Sequence, residues 1–285
     1  MAEIAVYKSE VKPDWCPGCG DFGVLTAVAK SASELNLDPK DILVVSGIGC
    51  SSNFPGFFNS YGFHGIHGRS IPIATGAKLS NHDLNVVVTG GDGDGYGIGI
   101  GHFIHAMRRN LNITYIVMNN GTYGLTTGQT SPTSERGYKT KSTPQGSIED
   151  PINPIPLSLI SGATYVARGF SGDPSGMSNL ITKGIDHKGF SLIDVFSPCV
   201  TYNKVNTYDF YRERTYKLLD TDHDPSNFNN AIEKSFELDE KIPIGLFYQK
   251  NSPTYEDEEP VLKSGSLLNR KRSDLDSSIA LEEFY

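Results

Sequence analysis

Positive charge is in short supply. The chain carries 25 Lys and Arg against 33 Asp and Glu, a formal net charge of −8. A non-specific nucleic-acid binder shows the opposite balance, so no nucleic-acid partner is expected. Long apolar runs are missing as well. Nothing approaches the roughly 18 consecutive apolar residues of a membrane helix. The first residues, MAEIAVYKSEVKPDWC, hold no signal-peptide core. No membrane association is expected, and the expected compartment is the cytoplasm. Cysteine is scarce, four in 285 residues. An even count permits two disulfides, but a cytosolic chain rarely keeps them, and the double C-x-x-C of a zinc ribbon is lacking. Glycine, by contrast, is plentiful, with 30 residues concentrated in the first half. That points to backbone-lined cofactor loops. A hydrophobic content of 38% with 20% charged residues excludes disorder as the overall class.

Hydrophobic spacing gives the element order. Helices are expected over 21–35 (with Asp21 as N-cap), 73–80, 96–110, 155–161, 175–187 and 207–219. Strands are expected over 42–46, 84–89, 113–118, 164–167, 191–196 and 244–248. Residues 1–14 read as an extended arm, 51–70 as loop, and 126–150 as a long functional loop. Alternating strands and helices imply an α/β fold, a mostly parallel sheet with helices on both faces. From Asn251 the chain turns polar and charged (YEDEEP, then NRKRSD), as a surface extension or a partner-clasping arm would be.

The four cysteines fall in three segments. Cys16 and Cys19 form a C-x-x-C pair in WCPGCG, whose two glycines and proline let the loop wrap tightly. Cys50 follows the apolar run ILVVSGIGC, and Cys199 follows FSLIDVFSPC. Strand ends of an α/β sheet gather on one edge, where ligands bind. Four thiolates delivered to one place suit either structural zinc or an iron–sulfur cluster. Buried structural cysteines with a coincidental C-x-x-C are the plain alternative. Trp15, beside the pair, reads as a packing cover for the site.

The segment GGDGDGYGIGIGH sits between a strand and a helix. No frame of it matches the dinucleotide fingerprint G-x-G-x-x-G. The calcium-loop reading fails because Phe103 stands where the last ligand, a Glu, is required. What remains is Asp92, just past one strand end and before a helix N-terminus, and Asn119-Asn120 at the next strand end. Their side-chain oxygens are hard ligands suited to Mg²⁺. The helix N-terminus offers N–H groups to a phosphate. Turn glycines and capping residues are the blander account of the same pattern.

Gly91-Asp92-Gly93 followed by Asn120, with WCPGCGD near the N-terminus, HGR at 67–69 and YGLTTGQ at 123–129, resembles the beta subunit of 2-oxoacid:ferredoxin oxidoreductases. The likeness spans most of residues 12–210. It implies a thiamine diphosphate-binding fold and an iron–sulfur site within 1–250, followed by a polar extension over 251–285. It implies a [4Fe-4S] cluster on Cys16, Cys19, Cys50 and Cys199, and Mg²⁺ on Asp92, Asn120 and the carbonyl of Thr122. Diphosphate contacts are implied from the N–H groups of Gly93 and Asp94 and from Gly124 and Leu125. The segments Ile48, Gly49, Cys50, Ser51 and His64, Gly65, Ile66, His67 are implied to lie at the cofactor. His64 and His67 read alternatively as plain loop histidines, His102 and His105 as packed or surface residues. Arg69 either reaches the phosphate or pins its own loop.

The implied activity is coenzyme A-dependent oxidative decarboxylation of 2-oxoacids, pyruvate and/or 2-oxoglutarate, with electrons passing through the cluster to ferredoxin. The resemblance assigns no catalytic side chain to this chain. The glutamate that activates thiamine is expected on a larger α subunit. Asn53, three residues after Cys50, lacks a charge to pair with a second substrate carboxylate, and the expectation stays at "2-oxoacid". Two other classes compete: a subunit of a non-redox thiamine diphosphate enzyme, and a zinc-stabilised binding module.

Overall fold

Runs rich in Val, Ile and Tyr with no polar alternation bury on both faces, as strands of a parallel sheet do. A computed structural model describes residues 3–270 and 277–282. It forms one sheet from β1 (Ile42–Ser46), β2 (Tyr61–His64), β3 (Asn85–Gly91), β4 (Thr114–Asn119), β5 (Tyr165–Phe170), β6 (Ser191–Phe196), β7 (Thr215–Lys217) and β8 (Ile242–Gln249). The order is β2-β1-β3-β4-β6-β5-β8-β7. All neighbours are parallel except β5 and β8. Side chains alternate between two cores: Val86 and Val88 enter one, Val87 the other. The helices Asp21–Glu34 and Pro174–Asp186 cover one face. On the opposite face lie Ser70–Ser80, Ile100–Arg109, Pro154–Ile160 and Phe228–Ser235.

The register determines what this scaffold presents. Ser46 pairs with Thr89, Gly91 with Met118, and Asn119 with Phe196. The chain therefore leaves β1, β3, β4 and β6 along one edge. The segments that follow, starting at Gly47, Asp92, Asn120 and Ser197, all emerge there. β1 lies between β2 and β3, so the chain steps to one side of β1 and then to the other. Such a reversal is where open α/β sheets bind ligands.

Several expectations need correction. Asp21 is not an N-cap. It is the first residue of its helix, almost fully buried, and its Oδ1 accepts the Ser197 hydroxyl at 2.6 Å. The supposed 51–70 loop contains the exposed edge strand β2. The glycine-rich start of the 96–110 helix winds more loosely, as a wide turn over Gly93–Ile98 with a kink at Gly97, and the regular helix begins at Ile100. Glycine has poor helix propensity, and here it occupies every second position. The expected 207–219 helix ends at Arg214. Thr215–Lys217 then pairs with β8, which satisfies its backbone groups in the sheet. The helix Phe228–Ser235 is an addition to the expected elements.

Past residue 250 the chain folds back onto the body. Asn110 Nδ2 donates to the carbonyls of Ser252 and Pro253, the Glu256 carboxylate accepts the Asn112 N–H at 3.1 Å, and Ser266 Oγ donates to the Ser80 carbonyl. Of the charged NRKRSD stretch, 271–274 lie outside the described residues. Among the described residues no helix is long and apolar enough to cross a membrane.

Candidate active site at the sheet edge

Asp92 directly follows β3 and is 1% exposed. Its Oδ2 lies 2.5 Å from Ser131 Oγ and 2.6 Å from Thr133 Oγ1, and the backbone of Asn120 also favours the charged carboxylate. Burial pushes its pKa up, and these donors oppose the shift. Asp92 and Asn120 are thus brought together from the ends of β3 and β4. Asn120 Oδ1 accepts the Thr122 N–H at 3.0 Å, and its carbonyl accepts Asn203 Nδ2 at 2.9 Å.

Asp94 does something its motif position did not reveal. Its Oδ1 accepts the Ile48 N–H at 2.9 Å and the Gly68 N–H at 2.7 Å, and lies 3.1 Å from His67 Nδ1. One buried carboxylate therefore ties the two segments 48–51 and 64–67 together at the GDGDG turn. Burial raises its pKa, and the two N–H donors oppose the rise. Oδ2 is buried without a partner. Arg69 Nη1 lies 3.5 Å from the Gly68 carbonyl, within its own loop. His64 ends the exposed strand β2, His105 is exposed and His102 half-buried.

The YGLTTGQ loop lies across the turn. Tyr123 donates its hydroxyl to the Gly93 carbonyl at 3.0 Å, and a Cβ at Gly93 would meet the Tyr123 ring at 2.2 Å, so glycine is required there. One residue on, a Cβ at Gly124 would stand 3.5 Å from Cys50 Sγ and 3.8 Å from Cys199 Sγ. The same short loop thus touches the GDG turn and passes close to two of the four thiols. Leu125 is exposed. Ser51 is buried, with its hydroxyl against Gly91, while Gly65 donates its N–H to the Ser46 carbonyl. Gly49 takes a positive φ as the chain turns into Cys50, and Ile66 stays exposed.

All four cysteines are free thiols. Cys50 and Cys199 act electrostatically on Cys19, and Cys16 and Cys199 on Cys50. Burial, followed by the Asp21 charge, pushes Cys50 up to about 11 and Cys19 higher still. Cys19 N–H donates to the Cys16 carbonyl at 2.9 Å, closing the C-x-x-C turn. Trp15, beside the C-x-x-C pair, packs against Phe22, Phe54 and Phe57. Its Nε1 also donates to the Cys50 carbonyl at 2.7 Å. Among the described residues no three His, Cys, Asp or Glu side chains converge closely enough to hold a single metal ion. Asn53 Nδ2 faces Asp14 Oδ1 at 3.4 Å.

Sequence reasoning missed Ser131, Thr133 and the buried polar chain behind them. Thr133 Oγ1 is 2.8 Å from Asn119 Oδ1, Asn119 Nδ2 donates to Asp194 at 3.1 Å, and Asp194 pairs with Arg168 at 3.2 Å. Hydroxyls inside a polar loop and single charges inside apolar strands carry no periodic signal.

The comparisons with known proteins divide the chain at this site. A family described as "Thiamine pyrophosphate enzyme, C-terminal TPP binding domain" matches residues 47–195. The family of the C-terminal part of the pyruvate ferredoxin oxidoreductase beta chain matches 199–264. A Sulfolobus protein named 2-oxoacid:ferredoxin oxidoreductase subunit beta is 51% identical over 258 residues, 86% of this chain and 84% of that protein. The corresponding Aeropyrum pernix protein is 49% identical over 86% of this chain and 80% of its own length. This chain belongs to the 2-oxoacid:ferredoxin oxidoreductase beta-subunit family. A 2-oxoglutarate synthase subunit KorB of Methanocaldococcus jannaschii is 40% identical over 86% of this chain and 90% of its own length. Among solved structures, a 2-oxoglutarate:ferredoxin oxidoreductase from Magnetococcus marinus, with 2-oxoglutarate, coenzyme A and succinyl-CoA bound, superposes with a TM-score of 0.91. It is 42% identical, and the match covers 99% of this chain and 96% of that one. The GDG turn, Asn120 and the YGLTTGQ loop of this beta subunit all fall inside the thiamine pyrophosphate match, and Cys199 opens the second match. The fold is that of a thiamine diphosphate-binding domain.

Proposed function

We propose that this beta subunit takes part in coenzyme A-dependent oxidative decarboxylation of 2-oxoacids, with electrons leaving through a [4Fe-4S] cluster to ferredoxin. The observation that carries the reading is the YGLTTGQ loop, where Tyr123 rests on Gly93 and Gly124 abuts the sulfurs of Cys50 and Cys199. Cofactor turn and thiols share one wall.

The residues present fit the groups. Asp92, Asn120 and the Thr122 carbonyl form an all-oxygen set for Mg²⁺. Gly93, Asp94, Gly124 and Leu125 would bind the diphosphate, and the segments 48–51 and 64–67, tied by Asp94, would bound the rest of thiamine diphosphate. Cys16, Cys19, Cys50 and Cys199 would hold the cluster. Cys50 and Cys199 act on Cys19, and Cys16 and Cys199 on Cys50, a four-thiol set of the kind a [4Fe-4S] cluster takes. When bound, thiamine diphosphate supplies the carbon nucleophile that lets a 2-oxoacid lose carbon dioxide, and a cluster accepts electrons singly.

This chain's own residues position, bind and exclude water. Asp92 is occupied by two hydroxyls and Asp94 by two N–H groups. Both are committed to holding the metal and the cofactor loops, and the carboxylate that activates the thiamine ring is assigned, as in the family, to an α partner that also completes the 2-oxoacid and coenzyme A sites. We read 251–285 as an extension, anchored through Glu256 and Ser266 at the far end of the sheet.

The test is anaerobic purification with iron, sulfide and zinc counts. About four iron and four sulfide per chain are expected, lost in Cys199→Ser while thiamine diphosphate still binds. A colourless protein holding zinc, or no metal after anaerobic reconstitution, would overturn the electron-transfer half.

A further inference from the structure

Two hydroxyls outside every motif named above grip the carboxylate assigned to the metal. Ser131 Oγ and Thr133 Oγ1 both reach Asp92 Oδ2, at 2.5 and 2.6 Å. Their own placement is fixed. Ser134 Oγ accepts the Ser131 N–H at 2.8 Å and donates to the Gly121 carbonyl at 2.7 Å, and the Ile152 N–H holds the Pro132 carbonyl at 2.8 Å. From the other side, Asn119 turns its oxygen toward Thr133, because its Nδ2 is committed to Asp194. The Thr133 hydroxyl has one proton for two acceptors, Asp92 and Asn119. An ionised carboxylate is the stronger of the two.

We propose that Ser131 and Thr133 are positioning residues for the divalent cation. They saturate Asp92 Oδ2, fix the plane of the carboxylate and leave Oδ1 as the oxygen that ligates. The inference rests on the reading of Asp92 as an Mg²⁺ ligand and extends it to the segment 131–134. A carboxylate held this way spends no ordering entropy when the cation arrives. Without the hydroxyls it rotates and presents either oxygen.

The experiment is an Mg²⁺ titration of thiamine diphosphate binding to the purified heteromer, with Mn²⁺ electron paramagnetic resonance reporting the cation directly. Ser131→Ala and Thr133→Val are each expected to raise the half-saturating Mg²⁺ concentration about three- to tenfold, the cost of ordering a carboxylate that is no longer held. Thiamine diphosphate affinity at saturating Mg²⁺ stays near the parent's. Thr133→Ser, which keeps the hydroxyl, returns the parent value. Iron content stays at the parent level even where the melting point without Mg²⁺ falls, so a weaker cation affinity beside an intact cluster marks the positioning role. Should Thr133→Val fail to assemble, Ser131→Ala and Thr133→Ser decide the matter alone. An unchanged half-saturation in Ser131→Ala and Thr133→Val, with Asp92→Ala still losing the cation, overturns the proposal and leaves the Asp92 reading standing. Parent-like cation binding in Asp92→Ala removes both.

Discussion

Arg168 and Asp194 stand directly opposite each other on β5 and β6, with Nε 3.2 Å from Oδ2 and both side chains buried. Asp194 also accepts the Tyr96 hydroxyl at 3.0 Å and the Asn119 amide at 3.1 Å. The guanidinium lies over the rings of Phe196 and Phe247. Removing one partner leaves a charge stranded in the core, at a cost of roughly 3–5 kcal/mol, whereas replacing both by apolar groups is often near neutral. Asp194→Ala is therefore expected to lower the denaturation midpoint sharply, and Arg168→Met with Asp194→Leu to lower it less. A double variant as unstable as Asp194→Ala would show that the acceptor lost to Tyr96 and Asn119, and not the stranded charge, sets the stability.

Asp94 holds two loops by their backbones, so its loss should be felt as cofactor affinity. Asp94→Ala leaves the N–H groups of Ile48 and Gly68 without their acceptor. Hydrogen bonds to a charged group are worth about 1.5–3 kcal/mol each. The expected result is at least a tenfold weaker thiamine diphosphate affinity in equilibrium binding, with faster amide exchange at 48–51 and 65–68. Asp94→Asn, whose oxygen still accepts, should recover part of it. Equal affinity in the alanine variant would mean the two loops are held by something else.

The sheet was legible because its strands are short, branched and buried on both faces. Strands 42–46 and 191–196 match the expected bounds residue for residue. β2 escaped because all four of its residues are exposed at a sheet edge, and an unburied strand has no apolar pattern to read. β7 escaped because its three residues continue a helical pattern, and only pairing with β8 makes them extended. In the site, the motif residues were legible as types. Their second partners were not: neither the Asp94 link to Gly68 nor the Thr133 contact to Asp92 follows from spacing, because both cross the loops that the fold brings together.

His187 gives the fold a pH dependence of known sign. The ring is buried, with Nε2 2.9 Å from Thr164 Oγ1, and burial lowers its pKa below the usual 6.5, opposed in part by Asp186. The native state therefore favours the neutral ring, while the unfolded chain protonates below about 6.5. Its contribution is complete above that value and is lost as pH falls from there through the lowered native pKa. Denaturant midpoints measured between pH 8 and pH 5 should fall more steeply in the parent than in His187→Gln. Parallel curves would mean that the ring protonates in place without loss.

Thr127 sits in the YGLTTGQ loop with φ of +75°, a left-handed conformation that a β-branched residue rarely adopts. Left-handed backbone costs a non-glycine residue roughly 1–2 kcal/mol. Glycine removes that strain and gives back about 0.5–1 kcal/mol through the greater freedom of its unfolded chain. Thr127→Gly is expected to stabilise the protein by about 1 kcal/mol, a rise of about 2–4 °C in melting temperature for a chain of this size class. The Thr127 side chain is exposed and its N–H donates to the Gly124 carbonyl at 3.1 Å, a bond glycine keeps. The wall shared by Gly124, Cys50 and Cys199 should therefore survive the change, and iron content should stay at the parent level. A fall in melting temperature would show that the threonine side chain itself holds the loop. A loss of iron at an unchanged melting temperature would show that the strained turn is what keeps Gly124 against the two sulfurs.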